Sequence, residues 1–139
     1  METSCGVVLV NYDTVLLLQY PQGHWDLPKG HVELEDGGHK TTAARELKEE
    51  TNIEEIEFID GFKEKTTYSF KIKGKQRIKQ VFWFIAMTEE IEVKLSKEHR
   101  RYMWLNWHLA IDLVTHKETK GILTKAKKFL DDINYSKNS

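Results

Sequence analysis

The stretch Gly30–Ile53, GHVELEDGGHKTTAARELKEETNI, decides how the rest of the chain is read. Its second half reads as a helix over roughly Lys40–Thr51. Ala43, Ala44 and Leu47 form the stripe that faces a core. Glu46, Glu49 and Glu50 fall at i, i+3 and i+4, on one helical face. Three like charges on one face repel each other unless water screens them or a cation sits among them. Hard divalent cations such as Mg2+ prefer clustered carboxylate oxygens. Most Glu-rich helix faces are merely solvated, so the helix alone is half of a candidate metal site. Arg45 reaches Glu49 at i+4, which gives it a structural ion pair rather than a contact to a ligand.

The loop before the helix, His24-Trp25-Asp26-Leu27-Pro28-Lys29-Gly30-His31-Val32-Glu33, follows a break at Pro21-Gln22-Gly23. Upstream, Ser4–Val10 and Thr14–Gln19 are nearly all apolar and read as two strands joined at Asn11-Tyr12-Asp13. Runs without alternation imply burial on both faces. Downstream, Glu55–Phe70 reads as an extended strand with Gly61 as a bulge, and Lys71–Lys75 as a hairpin turn. Arg77–Met87 returns with Ile78, Gln80, Phe82 and Phe84 alternating with Lys79, Val81, Trp83 and Ile85. Tyr68, Lys79 and Trp83 are candidates for a nucleotide pocket, since a ring stacked on a base contributes ~1–3 kcal/mol. Ordinary cross-strand packing is the competing reading of the rings. After the charged loop Leu95–Arg100 comes a short strand, Arg101–Leu105. Asn106 caps a helix over Trp107–Val114, and a final helix over Lys117–Ile133 carries apolar residues at helical spacing. Ser136–Ser139 reads as a tail.

The 139 residues suit one domain with one real core. A net charge of −1 gives no overall basic field for nucleic acid, although the segment Lys71–Lys79 is locally basic. A single cysteine, Cys5, lies in an apolar run, so the expectation is a core thiol and a cytoplasmic chain. No stretch approaches the ~20 apolar residues that span a bilayer, and no signal-like N-terminus is present. A monomer is the expectation at this size.

Gly30–Ile53 resembles the Nudix box, Gly-x5-Glu-x7-Arg-Glu-U-x-Glu-Glu-x-Gly-U, where U is a bulky aliphatic. Gly30, Arg45, Glu46, Leu47, Glu49, Glu50 and Ile53 fill its slots. Three departures stand out. The spacing from Gly30 to Arg45 is one residue longer, Asp36 stands where the first Glu belongs, and Asn52 replaces the last Gly. Asn is the usual substitute for Gly at a left-handed helix end. The extra residue falls at the Asp36-Gly37-Gly38 turn and puts in question the role of Asp36, not the register of Arg45–Ile53. The flanking segments resemble those of asymmetrical diadenosine tetraphosphate hydrolases: Cys5-Gly6, His24-Trp25 through Glu33, Gly61-Phe62-Lys63, Ser96-Lys97-Glu98-His99, Tyr102 and Trp104.

The resemblance implies an α+β Nudix fold, a mixed sheet sandwiched between helices. It also implies Mg2+-dependent hydrolysis, with Mn2+ as an alternative, of a dinucleoside polyphosphate to ATP and AMP. Glu49 and Glu50 would be the main metal ligands, with Glu46 a ligand or water-orienting base and the Gly30 backbone close to the metal. Glu98 would be a further ligand or the general base. Lys29, Lys79 and His24 would hold phosphates, and Tyr68, Trp83 and Tyr102 would stack on adenine. The alternatives are a pyrophosphohydrolase of RNA 5′ ends or of nucleoside or inositol polyphosphates, and a Nudix module that binds nucleotides without turnover.

Overall fold

The computed structural model describes residues 1–138. The two apolar runs form β1, Glu2–Asn11, and β2, Thr14–Gln19. They pair only at their hairpin end, Val10 with Val15 and Asn11 with Thr14. Beyond it they diverge, and the following loop fills the fork with two very short strands. β3, Trp25–Asp26, pairs with the end of β2, and β4, Lys29–His31, pairs with the start of β1.

The long strand β7, Lys75–Thr88, runs parallel to β1 from Glu2–Lys79 to Val10–Met87. Its other side takes β5, Ile56–Phe58, and β6, Glu64–Ile72, both antiparallel. β8, Arg101–Asn106, pairs antiparallel with β2 and completes a mixed eight-stranded sheet.

Helices cover both faces, which is why β1 and β2 carry no polar alternation. On one face, α1, His39–Thr51, sets Ala43 and Leu47 against Cys5, Val7, Leu9, Leu16, Leu18, Phe84 and Ala86. On the other, α2, Trp107–Leu113, and α3, Lys117–Asn138, bury Val8, Val10, Val15, Leu17, Val81, Trp83 and Ile85. This is the α+β sandwich the resemblance implies.

Both helix ends that the sequence marks are capped. Asn52 adopts a left-handed φ of 66° and its N–H donates to the Lys48 carbonyl at 2.8 Å, the role for which Asn substitutes for Gly. The Asn106 side chain accepts from the Leu109 N–H at 2.9 Å.

Three expectations change. Glu55–Phe70 is two strands rather than one, because Gly61, with a φ of 97°, turns the chain after Asp60 instead of bulging it. The last helix passes Ile133 and reaches Asn138, so most of the expected tail is helical; Ser139 lies outside the described residues. Trp83 is core: it is 0% exposed, its ring packs over Gly6, and its indole N–H donates to Thr66 Oγ1 at 2.9 Å. Cys5 is fully buried, and burial pushes its thiol up to about 11. Among the described residues no helix is long and apolar enough to cross a membrane.

Candidate metal and phosphate site

Where β1 and β2 diverge, β4 and the carboxylate face of α1 close on each other. The result is a cavity of about 390 Å3 lined by Lys29, Gly30, Glu46, Glu49, Glu50, Lys79 and Glu98, with Ser4, Tyr20 and His31. Sequence positions 4, 20, 29–31, 46, 49, 50, 79 and 98 thus meet at one end of the sheet. The structure brings together all five predicted metal-site residues and two of the predicted phosphate-binding residues.

The four carboxylates sit in different environments. Glu49 is open, its side chain 56% exposed. Glu98 is likewise exposed at the rim. Glu46 is mostly covered, and burial pushes its carboxyl up to about 6, with Glu50 and Glu49 adding to the shift against the opposing pull of Arg45. Glu50 is 4% exposed. It accepts the Lys29 backbone N–H at 3.0 Å, and His99 Nε2 lies 3.1 Å from its other oxygen. Burial raises the Glu50 carboxyl despite these partners.

Arg45 organises the approach to the site. Asp36, which is buried, accepts from Arg45 Nε at 2.7 Å and Nη2 at 3.0 Å, from Thr42 Oγ1 at 2.7 Å and from the Glu33 N–H at 2.8 Å. Arg45 also donates to the His31 carbonyl at 2.8 Å, to Glu46 at 2.9 Å and to Glu49 at 3.1 Å. The predicted pair with Glu49 is therefore present, but the closer bond is to Asp36. That bond answers the question of what Asp36 does: it braces the loop against α1. The Arg45 guanidinium holds the Asp36 carboxyl well below the usual carboxylate range, and Asp36 in turn raises Arg45.

The donor set is all oxygen, which suits a hard divalent cation. Gly30 is pressed so closely on Glu46 that a side chain there would occupy the carboxylate's place. Among the described residues, however, no three acidic, imidazole or thiol side chains are already gathered as a metal cage. Arg45 holds Glu46 and Glu49, and the Lys29 N–H holds Glu50 with His99 beside it, so these three carboxylates are close but separately held.

Lys29 and Lys79 share the cavity wall. Burial, and then the nearby Lys29 charge, lower Lys79 from the usual lysine value. Lys29 Nζ also lies 5.1 Å from the centre of the partly buried Tyr20 ring.

The aromatic predictions divide. Tyr68 is half-buried on β6 opposite Lys79, its ring 6.5 Å from that of His116. His24 stacks on Tyr20 at 4.8 Å and lies 5.5 Å from His116. These rings flank the lysine side of the cavity. Trp83, in the core, has no face to offer. Tyr102 is 40% exposed but pairs with Leu18, on the α1 side of the sheet, and does not line the cavity. Tyr20, His99 and His116 were not legible as site residues. Tyr20 adjoins β2, and His99 ends the segment Ser96-Lys97-Glu98-His99 that carries the resemblance; neither has a role of its own there. His116 lies between two helices and carries no local signal.

A mixed sheet between helices, with a helix-borne carboxylate cavity at the fork of its central strands, is the build of a NUDIX domain. The chain belongs to that family: the NUDIX domain model matches residues 2–126. It is 37% identical over 121 residues to the asymmetrical bis(5'-nucleosyl)-tetraphosphatase of Mus musculus, covering 83% of this chain and 79% of that protein. It is also 37% identical over 142 residues to the Rattus norvegicus protein of the same name, covering 91% and 94%. A solved binary complex of the C. elegans Ap4A hydrolase superposes with a TM-score of 0.80 at 30% identity, covering 95% of this chain and 99% of that one.

Proposed function

We propose that this chain hydrolyses dinucleoside polyphosphates asymmetrically, converting diadenosine tetraphosphate and water to ATP and AMP. The observation that carries the reading is the shared cavity, in which four carboxylates face two lysines. A bare carboxylate cavity would repel a polyphosphate, and a bare lysine cavity would bind one without activating water. Only the two together suit metal-assisted phosphate hydrolysis.

Glu46, Glu49, Glu50, Glu98 and the Gly30 backbone would hold divalent cations, Mg2+ by preference and Mn2+ as an alternative. When bound, such a cation neutralises phosphate charge and lowers the pKa of a bound water. The chain's own part is positioning and proton handling. Lys29 and Lys79 hold the phosphates and stabilise the charge that grows in the transition state. Glu98, exposed at the rim, either joins the cation ligands or takes the proton from the attacking water. Glu46, whose carboxyl is raised to about 6, is the second candidate for that role. Tyr68 offers a ring face to one nucleoside, and His24, stacked on Tyr20, is the further candidate to hold a phosphate. The single, buried cysteine is in keeping with a reducing cytoplasm.

Product analysis in 18O-labelled water tests the reading. The expected result is chelator-sensitive conversion of diadenosine tetraphosphate to ATP and AMP, with label in one product only. Two molecules of ADP, or turnover indifferent to chelator, would overturn it.

A further inference from the structure

Ser4 lines the cavity with Lys29 and Lys79, yet it is only 1% exposed. Its register on the sheet sets it between the two lysines. Along β1, Glu2, Ser4 and Gly6 point to one face. Their partners on β7 are Lys79, Val81 and Trp83, and the partners of Ser4 and Gly6 on β4 are His31 and Lys29. Residues paired across strands share a face, so Lys79 and Lys29 are diagonal neighbours of Ser4, one on either side. Gly6 keeps the Lys29 side close. A Cβ there would meet Lys29 Cβ, the Pro28 carbonyl oxygen and the Trp83 ring.

The Ser4 hydroxyl is treated unlike the other buried hydroxyls. Thr42, Thr51, Thr88 and Thr119 are also buried, and each donates: to Asp36, to the Leu47 carbonyl, to the Glu55 carbonyl and to Asp26. Thr3, beside Ser4 but on the opposite face, accepts from Gln80 at 2.9 Å. Ser4 Oγ has no hydrogen-bond partner among the described residues, and it is the one such buried atom on the cavity wall. Leaving a buried hydroxyl unpaired is costly, so each such group calls for a partner. The flanking lysines cannot be that partner for the O–H, because an ammonium only donates and the serine proton needs an acceptor. The carboxylates of the cavity could accept it, but none is in bonding position.

We propose that the Ser4 hydroxyl is a phosphate-binding group, donating to a phosphoryl oxygen of the polyphosphate seated between Lys29 and Lys79. Lysines hold phosphate as point charges on flexible stems, which gives attraction without direction. A short hydroxyl on a strand paired along both edges gives direction, and fixes which phosphoryl oxygen turns toward the lysines. The competing duty is to hold an ordered water with no bearing on the ligand. The inference rests on reading the cavity as a polyphosphate site, and it adds the residue that orients the phosphates there.

The test is calorimetric titration with methylene-bridged tripolyphosphate in Mg2+, a probe that is not hydrolysed and carries no nucleoside. The wild-type chain should bind it saturably. S4A should bind at least about tenfold more weakly, the loss expected of a hydrogen bond to a charged group. S4C nearly keeps the side chain's size but offers only a weak S–H donor, so it should behave as S4A does. Without ligand, S4A should melt within about 1 °C of wild type or higher, because no bond inside the chain is lost. Both variants should lower kcat/KM for diadenosine tetraphosphate by a similar factor. The proposal is overturned if the probe does not bind the wild-type chain, if either variant binds it within about twofold of wild type, or if ligand-free S4A melts several degrees lower, which would make the hydroxyl a structural one. Probe binding that depends on Ser4, without turnover of diadenosine tetraphosphate, would uphold the role of Ser4 and strike the proposed substrate instead.

Discussion

The two ends of α1 each bury a carboxylate, and they treat it in opposite ways. At the start of the helix, Asp36 receives four hydrogen bonds, two of them from Arg45, and is held ionised far below its ordinary range. At the end, Glu50 is as deeply buried, yet its partners are one backbone N–H and a nearby imidazole, and its charged form is disfavoured. Burial alone therefore does not mark function. A buried acid whose needs the protein meets is a brace. One whose needs are only partly met keeps an open demand for positive charge.

The largest effect that would sharpen this contrast is on turnover. Glu50→Gln keeps the shape and removes the charge, so kcat should fall about 10²–10³-fold while the fold persists. Near-wild-type kcat in the folded variant would break the distinction. Asp36→Asn should do the reverse in emphasis. Melting temperature should drop by several degrees, because Arg45 loses its closest partner, and turnover should fall only about 10–100-fold through the tethered Glu46 and Glu49.

Acidity provides a third handle, read by thermal melts with chelator and with Mg2+. For metal-free protein, Glu46 and Glu50 are raised, so their charged forms weigh against the folded state at neutral pH. That burden lifts as pH falls from above about 6 through the ordinary glutamate range, and metal-free stability should hold or rise from pH 7.5 to 5. The Asp36 shift has the opposite sign. Its stabilisation is complete above the ordinary aspartate range and lost only in strong acid, so it stays constant in this window. The stabilisation added by Mg2+ should shrink over the same window as protons compete for Glu46 and Glu50. A Mg2+ increment that grows on acidification would contradict the assignment.

The smallest effects concern the aromatics, where the same division between buried and reachable holds. Trp83→Phe should cost about 2 kcal/mol in chemical denaturation, from lost volume and the lost bond to Thr66, with KM unchanged. Tyr68→Leu should leave stability nearly unaltered and raise KM about fivefold or more.

That pair also shows what the sequence can and cannot disclose. Alternation along β7 correctly places Lys79 and Trp83 on one face, and Tyr68 faces them from β6. Alternation fixes the side of a sheet but not the depth. Depth follows from α2 and α3 packing over Trp83 and stopping short of Lys79, which no local pattern encodes. The box helix, its C-terminal cap and the doubly buried strands are legible because each has a periodic or terminal signal. The two- and three-residue strands β3 and β4 have none. The Asp36–Arg45 brace was hidden for a related reason. Arg45 has an obvious partner one turn away in Glu49, and the nearer one arrives only when the loop folds back.

The parallel pairing of β1 with β7 has a consequence for how the cavity comes into being. Its walls are drawn from Ser4, Lys29, Glu50, Lys79 and Glu98, so Ser4 must meet residues more than seventy positions away. Closing so long a loop is entropically costly and is repaid only once the strands register. The hairpins and α1 can form from local contacts, but the cavity has no partial version. A nascent chain on the ribosome, even with Lys29 and the complete Gly30–Ile53 segment already emerged, still lacks Lys79 and Glu98, the last two pieces of the wall.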